Sequence, residues 1–189
     1  MRFSTALLFG AVAVQAAPTL VSRADPCFVI GNTPLPQEVI DTDNAIASQI
    51  TCNPTKTTIA KVPDVTAGST SFSSIDFSKS SLTPLGFALK QFATDPTSLA
   101  ATNLTQFQNS LAVYEATEAG LRSVDGSLAI KVPKFFLSFQ VSRIQTAQGN
   151  PPTAAGQQVD HLLQKVLKNA PTESQALKDQ VTALSKQLS

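Results

Sequence analysis

Apolar residues recur at helical spacing through most of the chain beyond residue 83. Leu85, Leu89 and Phe92 form one stripe behind Pro84. Leu104, Phe107, Leu111 and Tyr114 form a second, which predicts a helix from Asn103 to Leu121 ending near Gly120. Pro133 to Gln148 combines an apolar first turn with a seam through Leu137, Val141 and Ile144. After a Gly149-Asn150-Pro151-Pro152 break, Val159, Leu162, Leu163, Val166 and Leu167 share one face. Leu177, Val181, Leu184 and Leu188 then recur at near-heptad spacing, so the two segments predict a C-terminal helical hairpin.

The N-terminal half reads differently. Cys27 to Ile30 predicts a short strand ended by Gly31-Asn32, and Pro36 to Ile50 a helix with Pro36 in its first turn. Cys52 would then staple the end of that helix to the first strand. Thr57 to Val62 and Leu128 to Val132 predict two more strands, each stopped by a proline. Both run into Lys-Val-Pro, at 61–63 and 131–133, and the two are expected to pair in one small sheet. Residues 66–83 hold ten Ser/Thr in eighteen positions and predict a loop with a short edge strand. The expected fold is α+β and α-rich, with several amphipathic helices packed against a small β-sheet and a C-terminal helical hairpin.

The first residues change the setting. Met1-Arg2 precedes an uncharged apolar run from Ala6 to Val14, and Val14-Gln15-Ala16 fits a small-residue cleavage rule. Nine apolar residues are too few to span a bilayer, so residues 1–16 are expected to be a secretory signal peptide. The expected organisation is a signal peptide (1–16), an extended leader (17–26), a disulfide-stapled α+β core (27–148), and the Pro/Gly break with the helical hairpin packed on that core (149–189). The polar C-terminus carries no GPI tail signal, and no transmembrane segment is expected. Cys27 and Cys52, the only two cysteines, are expected to form one disulfide, since they sit in an exported chain without a CxxC pair. Asn103-Leu104-Thr105 is the single N-glycosylation sequon, because Asn53-Pro54-Thr55 is disqualified by its proline.

Charge and chemistry mostly exclude. There are 14 Lys+Arg against 13 Asp+Glu, and removing Arg2 with the signal leaves the two signs equal, so no nucleic-acid partner is expected. A Ser-His-Asp mechanism would have to use His161, but its neighbour Asp160 points about 100° away on a helix and no GxSxG elbow is present. Glu115 and Glu118 stand at i, i+3 and read as a solvated face rather than a hydrolytic pair. Asp41-x-Asp43 opens like a calcium loop but has Ile46 where glycine is needed. Phosphate-binding glycine loops are missing. No catalytic, cofactor-binding or metal site is expected, and the protein is expected not to be an enzyme. The phenylalanines, among them Phe135, Phe136 and Phe139, read as core, with a lipid cavity between helices as the alternative.

The segments PCFVIGNTPLP, KVPDVTAGSTSFSSIDFSKSSLTPLGFAL and YEATEAGLRSVDGSLAIKVPKFFLSFQVSRIQTAQGNPP resemble a family of small secreted proteins of filamentous fungi, over residues 26–152. The resemblance implies an association with the conidial or hyphal surface and with secreted virulence factors, and implies no catalytic residues. The expectation is a secreted, non-enzymatic cell-wall or spore-surface glycoprotein, extracellular or wall-associated. Its partner would be a cell-wall polysaccharide or a host surface protein. The alternatives are an effector that binds a host protein and a small-lipid-binding module.

Overall fold

The long apolar seams become the centre of the molecule. A computed structural model describes residues 26–188; the expected signal peptide and residues 17–25 of the leader lie outside the described residues. Six α-helices are described, α1 (Gln37–Ile46), α2 (Pro84–Gln91), α3 (Leu104–Ser123), α4 (Lys131–Ala147), α5 (Val159–Asn169) and α6 (Gln175–Leu184), with three strands, β1 (Ile50–Thr57), β2 (Pro63–Ala67) and β3 (Thr70–Ser71). The fold is α+β and α-rich. Helix α4 packs against α2, α3 and α5, and its Phe136, Leu137, Phe139 and Ile144 are fully buried. Helix α3 packs on α4 along one side and on α1 and β2 along others. No helix among the described residues is long and apolar enough to cross a membrane.

The sheet is antiparallel in the order β1-β2-β3 and joins different segments from those expected. Ile50 faces Ala67, Cys52 faces Val65 and Thr57 faces Pro63, with an irregularity between Cys52 and Thr57 where Asn53-Pro54 falls. Of the strand expected at 57–62, Thr57 ends β1 and residues 58–62 are the turn between β1 and β2. Ala60 and Lys61 take positive φ, and Thr58 N donates to Val62 O at 2.8 Å. Residues 128–132 are not a strand either: a 3-10 turn, Leu128–Ile130, feeds α4, whose third residue is Pro133. A first-turn N–H has no helical partner to lose, so proline is tolerated there. The two Lys-Val-Pro segments therefore do not pair. The edge strand expected in residues 66–83 is β3, reached through Gly68 at φ +55, a left-handed position that suits a two-residue hairpin.

Cys27 to Ile30 forms no strand: Val29 N turns back to donate to Pro26 O at 2.9 Å, and the donors that follow go to a helix end. The N–H groups of Ile30 and Gly31 donate to Ser123 Oγ at 3.1 and 3.0 Å, and Thr33 N donates to Ser123 O at 3.0 Å. Helix α3 runs through Gly120 and stops at Ser123, past the expected end. A Cβ at residue 120 would lie 2.6 Å from Phe28 O and 2.7 Å from Val62 Cγ1, so glycine lets this segment and the β1–β2 turn pack on the helix. Pro36 stands just before α1, and the helix gives way to a 3-10 turn, Ala47–Gln49, before the chain extends at Ile50. The Cys27–Cys52 disulfide, with Cα atoms 6.1 Å apart, thus ties an irregular segment to β1 and not to a helix end.

Buried polar contacts fix the remaining pieces. Tyr114 on α3 donates to Ile75 O at 2.6 Å and meets the rings of Phe72 and Phe92 edge-on at 5.1 and 5.7 Å. Asp64 on β2 accepts from Ser73 N at 2.9 Å and Ser73 Oγ at 2.6 Å, with Lys56 Nζ at 3.0 Å. Burial pushes its carboxyl up, but these Ser73 and Lys56 contacts outweigh burial and hold it below the usual range. At the C-terminal end, Glu173 accepts from Leu85 N at 2.9 Å, and Arg143 donates to Gln187 O at 2.8 Å. Helix α5 accordingly sits on α4 and α6 on α2.

Candidate functional site

Four helices leave a cleft of about 480 Å³ between them. Helix α3 lines it with Leu111, Glu115, Glu118 and Arg122, spaced four, three and four residues apart and so on one face. Helix α4 adds Lys134, Phe135, Ser138 and Ser142 from its matching face. Asp43 enters from α1, and Leu162 and Lys165 from α5. The cleft is therefore built from residues widely separated in sequence.

Its floor is charged and buried. Glu118 is 2% exposed and takes two cations, Arg122 Nε at 2.8 Å on Oε1 and Lys134 Nζ at 2.7 Å on Oε2. The second contact is an ion pair rather than a directed hydrogen bond. Lys134 Nζ also lies 4.3 Å from the centre of the Phe135 ring, within cation–π range. Asp43 is 3% exposed, and its Oδ1 is buried without a hydrogen-bond partner among the described residues. The hydroxyl of Ser142 is in the same position.

Three carboxylates facing two close cations cannot all be comfortably ionised. Burial, with repulsion from Glu118 and against the pull of Lys134, pushes the Asp43 carboxyl up to about 7. Burial likewise raises Glu115 to about 7, with Lys134 opposing and Glu118 and Asp43 adding. A carboxyl group of this kind can hold or release a proton near neutrality.

The other sequence candidates fall elsewhere. His161 and Asp160 are exposed on α5, outside the residues that line the cleft. Glu115 and Glu118 are not a solvated face: Glu118 is buried and Glu115 half-buried. Asp41 is exposed and accepts from Gln37 Nε2 at 2.8 Å, while Asp43, discounted as a calcium-loop remnant, lines the cleft with a buried oxygen that has no hydrogen-bond partner among the described residues. No group of three His, Cys, Asp or Glu among the described residues is placed to hold a metal ion. Phe136 and Phe139 are in the packed core, and Phe135 alone of the three lines the cleft. Asn103 is the N-cap of α3, with Oδ1 accepting from Gln106 N at 3.1 Å. Asn103 and Thr105 are both exposed, at the rim of an open groove of about 850 Å³ lined largely by Ser, Thr, Asn and Gln.

Fold and cleft together define an α-rich α+β domain with a charged inter-helix site. A family model described as a domain of unknown function (DUF7143) matches residues 29–189, and the chain belongs to that family. No curated protein and no solved structure matches the chain.

Proposed function

We propose that this is an exported protein of the wall or spore surface of a filamentous fungus, and that it acts by binding a small polar molecule rather than by catalysis. The export reading rests on the first sixteen residues, and the fungal reading on the resemblance of residues 26–152. The cleft carries the binding reading. Its volume lies within the 300–1,000 Å³ typical of small-molecule sites, and two buried polar atoms, Asp43 Oδ1 and Ser142 Oγ, have no protein partner there. Leaving such groups unmatched costs about 1–3 kcal/mol each, a cost a ligand can offset. The charged floor supports a polar occupant over a lipid.

The test is native mass spectrometry of protein recovered separately from wall extract and culture medium. A retained small molecule is expected, absent from Ser138→Trp, which places an indole in the cleft. Ligand-free protein that also ignores a library of small polar compounds would overturn the binding reading, and recovery only from inside cells would overturn the surface reading.

A further inference from the structure

The cleft is graded in charge from floor to mouth. Its most buried ionisable groups are the carboxylates of Asp43 and Glu118, on α1 and α3, and Glu115 stands half-buried beside them. The cations that touch this floor, Arg122 from α3 and Lys134 from α4, are both committed to Glu118 or Phe135. The mouth has the opposite sign. Lys131 from α4 and Lys165 and Lys168 from α5 line it, with Glu38 of α1 the acid among them. Lys168 and Glu38 are exposed and the other two half-buried.

From this gradient we propose that the cleft binds a small zwitterion, ammonium group inward and anionic group outward. The inference rests on the reading of the cleft as a binding site and names the ligand class for it. An ammonium group brings three donors. Asp43 Oδ1 and the Ser142 hydroxyl are buried, lack acceptor or donor partners, and come from two different helices onto the same cleft. They and Glu115 offer it acceptors along the cleft wall. A lone cation would satisfy the floor but meet repulsion at the lysine mouth. A lone anion would satisfy the mouth but meet the carboxylates below. A carboxylate or phosphate at the outer end of the same molecule matches both. A metal ion does not fit, because no group of three His, Cys, Asp or Glu among the described residues is placed to hold one.

The proposal has a proton signature. Binding an ammonium group beside Asp43 and Glu115 favours their ionised forms, so near pH 7 it releases protons to solvent. Around them on the surrounding helices stand Glu38, Glu118, Arg122, Lys131, Lys134, Lys165 and Lys168.

Calorimetric titration of the whole secreted chain with ω-amino acids, from 4-aminobutyrate to 8-aminooctanoate, tests the idea. The matching alkylamine and fatty acid serve as half-ligands. At least one amino acid should bind tenfold or more tightly than either of its halves, and affinity should rise about tenfold or more between pH 5.5 and 8. Repeating the titration in buffers of different ionisation enthalpy should show net proton release at pH 7. Asp43→Asn should weaken the amino acid and the amine alike. Lys165→Met with Lys168→Ala should remove only the amino acid's advantage over the amine. If no amino acid exceeds its halves, or if binding releases no protons, the zwitterion proposal fails. In that outcome a neutral or anionic compound retained in the cleft still upholds the binding reading, whereas an unoccupied cleft that binds nothing from the library removes both.

Discussion

Lys134 Nζ lies 2.7 Å from Glu118 Oε2, joining the first turn of α4 to the C-terminal half of α3 across the floor of the cleft. Both side chains are largely withdrawn from water, 17% and 3% exposed. Removing one partner of such a pair strands the other, which costs more than the pair itself contributes. Lys134→Met should therefore destabilise the protein by about 3 kcal/mol, with Arg122 retaining part of the compensation. The double variant Lys134→Met with Glu118→Gln should recover most of that loss. Urea denaturation measures both, and a double variant no more stable than the single one would contradict the assignment.

The raised carboxyls give stability a definite pH slope. Asp43 and Glu115 titrate at about 7 in the folded protein, and an unfolded carboxyl titrates near 4. Between those values the folded state binds more protons, so the contribution of these two groups to stability is full below about pH 4 and is lost as pH rises through 7. Asp64 and Asp95 work oppositely, but their folded values lie below the ordinary carboxyl range, so their contribution is lost only as pH falls below about 4. Chemical denaturation from pH 5 to 8 should show declining stability, and Asp43→Asn with Glu115→Gln should flatten the decline. An unchanged slope in that double variant would mean that other groups carry it.

Helices were legible wherever a long apolar stripe met a clear cap, as with Asn103 before α3 and Thr83 before Pro84. The strands were not, because proline marks two opposite things. Pro133 follows an alternating run and reads as a strand stop, yet occupies the first turn of α4, where its missing N–H costs nothing. Pro63 likewise opens β2 instead of closing a strand before it. Residues 27–30 look extended, but Val29 N turns back to Pro26 O, and Ile30 N finds its acceptor in Ser123 near the far end of α3. The cleft was hidden for a related reason. The spacing of Glu115 and Glu118 was visible, but their burial depends on α1 bringing Asp43 and α4 bringing Lys134 to the same face. A stripe that continues from Leu111 through both glutamates to Arg122 was the available signal.

Gly120 separates packing from propensity. Alanine is favoured over glycine inside a helix by roughly 1 kcal/mol, so propensity alone predicts a gain for Gly120→Ala. The added Cβ would meet the Phe28 carbonyl oxygen at 2.6 Å and Val62 Cγ1 at 2.7 Å. Backbone must shift to relieve the first contact, at about 1–3 kcal/mol for overpacking. Net destabilisation is expected, and a variant that melts higher than the parent would show that the 28–31 segment yields freely.

The disulfide should matter through the unfolded chain. Cys27→Ser with Cys52→Ser is expected to cost roughly 3 kcal/mol by freeing a loop between residues 25 apart in sequence. Thiol labelling of unfolded, unreduced protein should find no free sulfhydryl. Two labelled thiols per chain would show that the pair does not form in the exported protein.

Asn103 carries two roles that substitutions can separate. Its Oδ1 caps α3 by accepting from Gln106 N, which leaves Nδ2, the atom that N-glycosylation modifies, free of that bond. The residue and Thr105 are exposed, as modification requires. Asn103→Asp removes the sequon but keeps a good N-cap, and Thr105→Ala removes the sequon without touching the cap. Asn103→Ala removes both. In protein from its native source, all three variants should lose the same glycan mass and run at the mobility of glycosidase-treated parent. Measured after deglycosylation, only Asn103→Ala should be less stable, by about 1 kcal/mol. Parent protein whose mobility is unchanged by glycosidase would remove the modification, and the cap would then be the residue's whole contribution; equal stability of the Ala and Asp variants would remove the cap instead.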